Sequence, residues 1–417
     1  MNREAHRTTH LMALPLILLS ALLCVLTPLQ ASAQVSWTRL GGDTAYDTME
    51  LVVKNSYPST AKTVIVATGD GYWDALSAAG LAGCYDAPVV TTPTGSLKAQ
   101  AKRTIQRLNP DRIYVMGGKA AISDSTYKAI QAAAPKAQLT RVAGSNAPAT
   151  ARDAYAKGSG WSDTCIVATV NGYWDALSIS SYSFASKAPI FLTEGNNKLS
   201  KETVSTIKSH FKNTVIVGGT AVVSKDVESQ LSGQKVTRLA GANAIATSAK
   251  IAEWGIKSGG MSAKHVTVAT SDGYWDALAG ASLAGRSKSV IALVSDGNRN
   301  AASTAWKHRG SSFESGYILG GKAAVSAKTE SYLKGLDGSG SSSTTQPSQP
   351  SESYSGTSEP KPTAGGTTYV LNTGTRKFHK LGCREVKKIS ASNKVQNTYK
   401  RQDIIACGYS ACKVCNP

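Results

Sequence analysis

The sequence predicts an α/β protein built from three tandem parallel-sheet subdomains and a small C-terminal metal-binding domain. Two observations carry the repeat. Gly71-Tyr72-Trp73-Asp74-Ala75-Leu76 recurs as Gly172-Tyr173-Trp174-Asp175-Ala176-Leu177 and as Gly273-Tyr274-Trp275-Asp276-Ala277-Leu278, each time after 101 residues. An apolar-Gly-Gly segment follows in every copy, with the pairs Gly117-Gly118, Gly218-Gly219 and Gly320-Gly321. Within a copy, short β-branched runs alternate with helical patterns, which implies doubly wound parallel sheets. A repeat of this length is domain-sized, whereas solenoid units run to roughly 20–50 residues.

The chain begins with Arg3 and Arg7, an apolar run from Leu11 to Leu29, and Ala31-Ser32-Ala33. That order of charge, apolar core and small residues is a secretory signal peptide over residues 1–33. The run is long for such a core, so retention as an N-terminal anchor is the alternative; Pro15 and Pro28 weigh against a spanning helix. Cys24 falls within the segment and has Leu23 before it, where lipoprotein processing needs a small residue.

A third marker introduces each copy: Arg39-Leu40-Gly41-Gly42, Arg141-Val142-Ala143-Gly144 and Arg238-Leu239-Ala240-Gly241. The copies are accordingly bounded as 38–140, 141–237 and 238–336. In the first, Val64 to Thr68 reads as a strand buried on both faces, and the Tyr-Trp-Asp segment as a turn entering a helix. Pro88-Val89-Val90 reads as the next strand, Leu97 to Leu108 as a helix, Arg112 to Met116 as a third strand, and Ser123 as the cap of a helix through Ala132. Residues 337–368 are rich in Gly, Ser, Thr and Pro and predict a disordered linker. Residues 369–417 then form a basic, cysteine-bearing domain.

The composition, 41% apolar and 18% charged, suits several packed cores. The net charge of +19 is the outlier, with +12 on residues 34–336 and +8 on 369–417. In an exported protein this favours an anionic partner: a phosphate-bearing wall polymer, a lipid surface or nucleic acid. Charge kept for solubility is the competing explanation.

Asp74, Asp175 and Asp276 stand where a strand hands over to a helix, where a carboxylate complements the helix dipole or caps free amides. No histidine, nucleophile or second carboxylate recurs beside them in all three copies. His210, His265 and His308 fall at different places in their repeats, which is poor material for a shared active site. Trp73, Trp174 and Trp275 either stack on a sugar or pack on the next helix. The Gly-Gly pairs either bring amides to an anion at the sheet edge or simply make a tight turn. Cys84 and Cys165 occupy non-equivalent positions and read as buried free thiols.

Residues 38–336 resemble three cell wall binding repeats of type 2, known from wall-anchored surface proteins of Gram-positive bacteria. The Arg-apolar-x-Gly openings, the Asp-Ala-Leu segments and the apolar-Gly-Gly segments carry the resemblance. It implies three Rossmann- or toprim-like subdomains in an intramolecular pseudo-trimer, non-enzymatic, holding an anionic wall polymer such as a teichoic-acid-like or phosphorylated polysaccharide. Arg39, Arg141 and Arg238 join the tryptophans, aspartates and glycines as candidate polymer contacts, with no small-molecule substrate. Where the family has Arg-Tyr, this chain has Ala45-Tyr46, Ala147-Pro148 and Ala244-Ile245. Where it has Pro-Ile-Leu-Leu, this chain has Pro88-Val89-Val90-Thr91, Pro189-Ile190-Phe191-Leu192 and Ser289-Val290-Ile291-Ala292.

In the C-terminal domain, His379-x3-Cys383 and Cys412-x2-Cys415 are two close pairs with the spacing of a closed, structural zinc site. Disulfide bonding is the alternative in an oxidising compartment. Cys407 is then a spare thiol or a substitute ligand. The segment resembles the Ada-like metal-binding domain of some secreted nucleases and competence proteins, with His379 in place of the methyl-accepting cysteine. Three functions are consistent with the sequence: a wall-anchored surface protein displaying the zinc domain, a wall-localised nucleic-acid binder, and a regulator of a wall hydrolase.

Overall fold

The computed structural model describes residues 36–308, 313–336, 364–372, 377–389, 394–399 and a few positions from 401 onward. The expected signal peptide over 1–33 and most of the expected linker lie outside the described residues. The chain divides into two units, 1–342 and 343–417. No helix among the described residues is long and apolar enough to cross a membrane.

The first unit contains three four-stranded sheets, parallel throughout. The first runs in the order β3 (Val89–Thr92), β2 (Thr63–Thr68), β4 (Arg112–Met116), β5 (Gln138–Val142). The second repeats it with β7 (Ile190–Leu192), β6 (Thr164–Ala168), β8 (Asn213–Val217) and β9 (Lys235–Leu239). β2 is buried at every position, as a central strand covered by helices on both faces must be. Helix Asp124–Ala133 starts on Ser123, whose hydroxyl accepts the Thr126 amide, so the expected cap is present.

The third sheet takes its edge strand from the other end of the chain. Its order is β11 (Val290–Val294), β10 (His265–Thr270), β12 (Ser315–Leu319) and β1 (Ser36–Leu40), with Arg39 opposite Ile318. The arginine-bearing marker expected to open each copy therefore does something else in space. In β5 and β9 it completes the sheet of the copy just traversed, and in β1 it completes the sheet of the last copy. Sequence repeat and folded subdomain are offset by one strand, because the fourth strand pairs with the third whichever way the chain arrives.

The copies meet through small side chains. Helices Ala79–Cys84, Trp174–Ser186 and Gly280–Arg286 pack against one another, lined with Ala, Gly and Ser. Their surface permits close approach: a Cβ on Gly80 would press on the Ala188 carbonyl. Beside them, Tyr72, Tyr173 and Tyr274 form a closed triangle with ring centroids 5.3–5.6 Å apart, one ring from each copy. The offset, edge-on geometry is the favourable one for aromatic rings. This triangle is the expected pseudo-threefold arrangement in residue form.

The seam between the third and first copies has its own tie. Arg286 lies over the Tyr57 ring at 4.4 Å, pairs with Asp86 at 3.5 Å and donates to the Ser56 carbonyl. Tyr57 in turn donates its hydroxyl to Asp86 at 3.1 Å.

The second unit is a small sheet in the order β15 (Lys394–Tyr399), β13 (Ala364–Asn372), β14 (Lys377–Lys380), β16 (Ser410–Ala411). β13 begins at Ala364, so the strand starts inside the stretch expected to be linker. Among the described residues its core cluster is slight, Tyr369, Leu371, Phe378 and Ile404, with Tyr369 edge-on to Phe378 at 5.4 Å.

Candidate functional site

In each sheet of the first unit the strand order reverses between its first and third strands, β2 and β4 in the first copy. A doubly wound sheet opens its ligand crevice at that switch point. The loop after β2 brings Tyr72-Trp73-Asp74 to the crevice, and the turn after β4 brings Gly117-Gly118. Gly117, Gly218 and Gly320 adopt φ of +85°, +108° and +100°, a region closed to other residues at low cost. A second constraint acts on the same atoms, since a Cβ at these three positions would run into the carboxylates of Asp74, Asp175 and Asp276.

The aspartates are not caps. The N-cap positions of the first two helices are Tyr72 and Tyr173, with no side-chain cap bond, and Asp74 and Asp175 lie in the first turn facing the glycine, while Asp276 sits in a turn ahead of helix Gly280–Arg286. Burial pushes Asp74 and Asp175 up to about 6. A helix N-terminus alone would favour the charged form by under about 1 kcal/mol, so desolvation wins. The first glycine of each pair is also spoken for: Gly117, Gly218 and Gly320 donate their amides to Val142, Leu239 and Leu40 carbonyls at 2.8–2.9 Å. With that amide in the sheet and a carboxylate against the turn, the first glycine of each pair is used within the fold. Gly118 and Gly219 face open space.

Arg39, Arg141 and Arg238, expected as polymer contacts, turn inward. Arg141 Nη1 donates to the Gly117 and Ile122 carbonyls at 2.9 and 3.0 Å. Arg238 repeats this on Gly218 and Val223 and adds Glu228 at 2.7 Å. Arg39 reaches Gly320 at 2.8 Å, Val325 at 2.9 Å and Glu330 at 2.8 Å. Each guanidinium therefore fastens a Gly-Gly turn from the neighbouring strand, which is a positioning role. Its planar fork suits two carbonyls at fixed separation, where a lysine would satisfy only one direction.

The tryptophans tie neighbouring copies together and stay partly exposed. Trp73 and Trp174 donate their indole N–H groups to the Val170 and Ser271 carbonyls of the following copy, each at 2.7 Å. Tyr173 donates to that same Ser271 carbonyl at 2.9 Å. The rings are nevertheless open to solvent, Trp73 by 39% and Trp275 by 48%. The sequence reading missed the tyrosine triangle, although a Tyr beside every repeated Trp was its signal.

His210, His265 and His308 are engaged locally, with the Thr206 carbonyl, Ser315, and Glu253. Burial pushes the Cys84 and Cys165 thiols up to about 11 and about 12; Cys165 is fully buried, whereas Cys84, expected to be buried, is only partly so.

The second unit gathers His379, Cys383, Cys412 and Cys415, whose ligand atoms all lie within 4.8 Å of one another. β14 delivers His379, the turn after it Cys383, and the segment after β16 the two remaining cysteines. The three thiols are not joined as disulfides. The His379 Nδ1 atom is buried and has no hydrogen-bond partner, while the Lys380 and Val414 amides donate to the Cys415 and Cys412 sulfurs at 3.4 Å. An orphaned buried imidazole nitrogen among thiols, with amides aimed at sulfur, is a donor set able to hold a metal ion. Cys407 lies outside the described residues.

Comparison with known proteins agrees with this architecture. The pattern of Cell wall binding domain 2 (CWB2) matches residues 39–127, 141–228 and 238–330. The chain belongs to the CWB2 family. Its first unit is thus a set of three cell-wall-binding domains, which makes this a wall or surface protein. Among curated relatives it is 31% identical over 306 residues to N-acetylmuramoyl-L-alanine amidase LytC of Bacillus subtilis, spanning 73% of this chain and 59% of that one. It is 30% identical over 296 residues to the amidase enhancer of the same organism, spanning 71% of this chain and 40% of that one. The chain therefore spans less than two thirds of either relative. Two solved structures from Clostridium difficile share this fold. Cwp8 superposes with a TM-score of 0.64 at 26% identity over 77% of this chain and 55% of its own, and Cwp6 with 0.65 at 22% over 72% and 48%.

Proposed function

We propose that the three CWB2 copies hold an exported protein non-covalently on an anionic wall polymer, of teichoic-acid or phosphorylated-polysaccharide type, and carry no catalytic activity. The protein acts as a monomer, its threefold arrangement being internal. The observation that supports this most is the combination of a closed three-copy ring with +12 on residues 34–336. The repeated aspartates have no second catalytic group, and the arginines, by fastening turns, keep the three loop sets in register for a repeating ligand. Trp73 and Trp275 are the aromatic faces left for its sugars. Export follows from reading residues 1–33 as a signal peptide.

The C-terminal unit is the displayed part, an Ada-like module whose His379, Cys383, Cys412 and Cys415 hold a structural zinc ion. Four protein ligands leave no place for water, so zinc supplies folding energy and no catalysis. Nucleic acid is a candidate partner of this unit by charge. Regulation of a wall hydrolase is a second reading, favoured by the similarity of the repeats to those of a protein named as an amidase enhancer.

The test is sedimentation of the protein with purified walls before and after their phosphate-bearing polymers are stripped. Loss of binding on stripping supports the proposal; undiminished binding to bare peptidoglycan rejects the anionic polymer.

A further inference from the structure

We propose that Leu381 and Val414, at the metal end of the C-terminal unit, form an apolar tip that docks on an anionic lipid surface. The inference concerns a partner of that unit and takes from the zinc reading only that the ion fixes the two loops. Leu381 lies between the ligands His379 and Cys383, and Val414 between Cys412 and Cys415. Because the four ligand atoms lie within 4.8 Å of one another, the two loops are held side by side. The bond from the Lys380 amide to the Cys415 sulfur ties them directly.

Both tip residues are 51% exposed, the most exposed large apolar side chains among those described in the protein. Next to Leu381, Gly382 faces open space. A unit whose described core cluster is as small as Tyr369, Leu371, Phe378 and Ile404 leaves Leu and Val outward at a cost, since burying them there would lower its free energy.

The surroundings are cationic. Lys377, Lys380, Arg384, Lys387 and Lys388 are all exposed on the strand and turn that carry the first ligand pair. The acid among them, Glu385, is neutralised by Lys388 at 3.0 Å and Arg384 at 3.7 Å. Aliphatic residues ringed by Lys and Arg match an interface of hydrocarbon beneath anionic headgroups, where the charges attract and the apolar tip inserts.

Nucleic acid fits the same charges less well. Single strands are gripped by stacking on aromatic rings, yet Tyr369 and Phe378 are buried against each other, and the exposed apolar residues described in this unit are aliphatic. Leu381 and Val414 add nothing to a phosphate contact.

The experiment uses the full chain, so that the contribution of the basic repeats is common to every arm. Protein is sedimented with vesicles of phosphatidylglycerol and phosphatidylcholine, with vesicles of phosphatidylcholine alone, and tested for retention by single- and double-stranded DNA. The wild type is expected to bind the anionic vesicles and not the neutral ones. Changing Leu381→Ser and Val414→Ser together should weaken that binding by about tenfold or more, a loss in keeping with partial removal of two buried aliphatics, whereas Leu381→Ile with Val414→Ile should retain it. Zinc content of each variant is measured alongside. If the serine pair loses zinc, the single changes Leu381→Ser and Val414→Ser replace it, and each must weaken binding with zinc kept. A serine pair that binds vesicles like the wild type, or a chain that binds DNA and leaves anionic vesicles unbound, overturns the proposal. A protein without zinc overturns the metal reading instead, while the serine and isoleucine pairs still decide the tip.

Discussion

The ring of Phe184 lies on Gly285, and a Cβ at Gly285 would overlap it. The same position in the first copy is Gly83, where a Cβ would overlap the Phe184 backbone. Three equivalent positions thus hold one phenylalanine and two glycines, and the large side chain of the middle copy fills the space its counterparts vacate. Phe184→Ala should cost about 3–5 kcal/mol by leaving a cavity among three helices. Gly285→Val should be at least as damaging, because the added atoms meet a packed ring. Urea unfolding of the three proteins measures both; an alanine variant within about 1 kcal/mol of the wild type would mean the copies do not depend on this contact.

Asp74 and Asp175 make stability fall as pH rises through the acid range. Burial raises both to about 6 in the fold, against an ordinary value of 3.8. Between pH 4 and pH 6 the folded protein keeps protons that the unfolded chain has released, so the contribution is full below about pH 4 and is lost above about pH 6. Asp74→Asn keeps the shape without the buried charge. It should stabilise the protein at pH 7 by on the order of 2 kcal/mol and flatten the profile between pH 4 and 6. Thermal unfolding across that range reads the slope, and an Asn variant less stable than wild type at pH 7 would show the carboxylate to be making an essential contact instead.

Arg39 should matter more than a surface arginine because it ties the chain ends of the first unit together. It accepts no solvent role: its donors go to Gly320, Val325 and Glu330. Arg39→Ala should destabilise by about 2–3 kcal/mol, the scale of charge-assisted hydrogen bonds lost from a partly buried site. Deleting residues 36–42 should go further, uncovering the edge of β12 and inviting association through it. Light scattering distinguishes the two: monomeric but weakened for the point change, self-associated for the deletion.

Wall binding should weaken clearly towards ~1 M salt, where the screening length is about 3 Å. The salt series on purified walls has an informative opposite result, since binding indifferent to salt would assign the affinity to the exposed faces of Trp73 and Trp275. Removing residues 141–237 should abolish both solubility and wall binding, because it deletes Tyr173, Trp174 and Phe184 and with them the contacts of the middle copy to the first and the third.

Chelation should unfold the C-terminal unit and leave the three-copy ring intact. Zinc binding in comparable small sites supplies roughly 10–16 kcal/mol, against the small cluster of Tyr369, Leu371, Phe378 and Ile404 among the described residues. Cys412→Ser should act like chelation, His379→Cys should keep the metal, and Cys407→Ser should be nearly silent. Metal analysis with far-UV circular dichroism tests this; two disulfides by mass and no zinc would put the oxidised form in its place.

The sequence by itself determined the repeat, its copy number, the α/β class, most strand and helix positions in the first copy, and the cluster of metal-binding residue types His379, Cys383, Cys412 and Cys415. Each is written in local periodicity, caps or spacing, such as the run that becomes β2 or the Ser123 cap. Tertiary structure alone decided which copy each arginine serves and what it does there. Arg39 lies 281 residues from the Gly320 carbonyl it holds, and no local pattern encodes a strand pairing across that distance. The same holds for Tyr72, Tyr173 and Tyr274: their repetition was visible, but that three rings converge depends on small residues letting three helices approach, which is a property of packing and of no single segment.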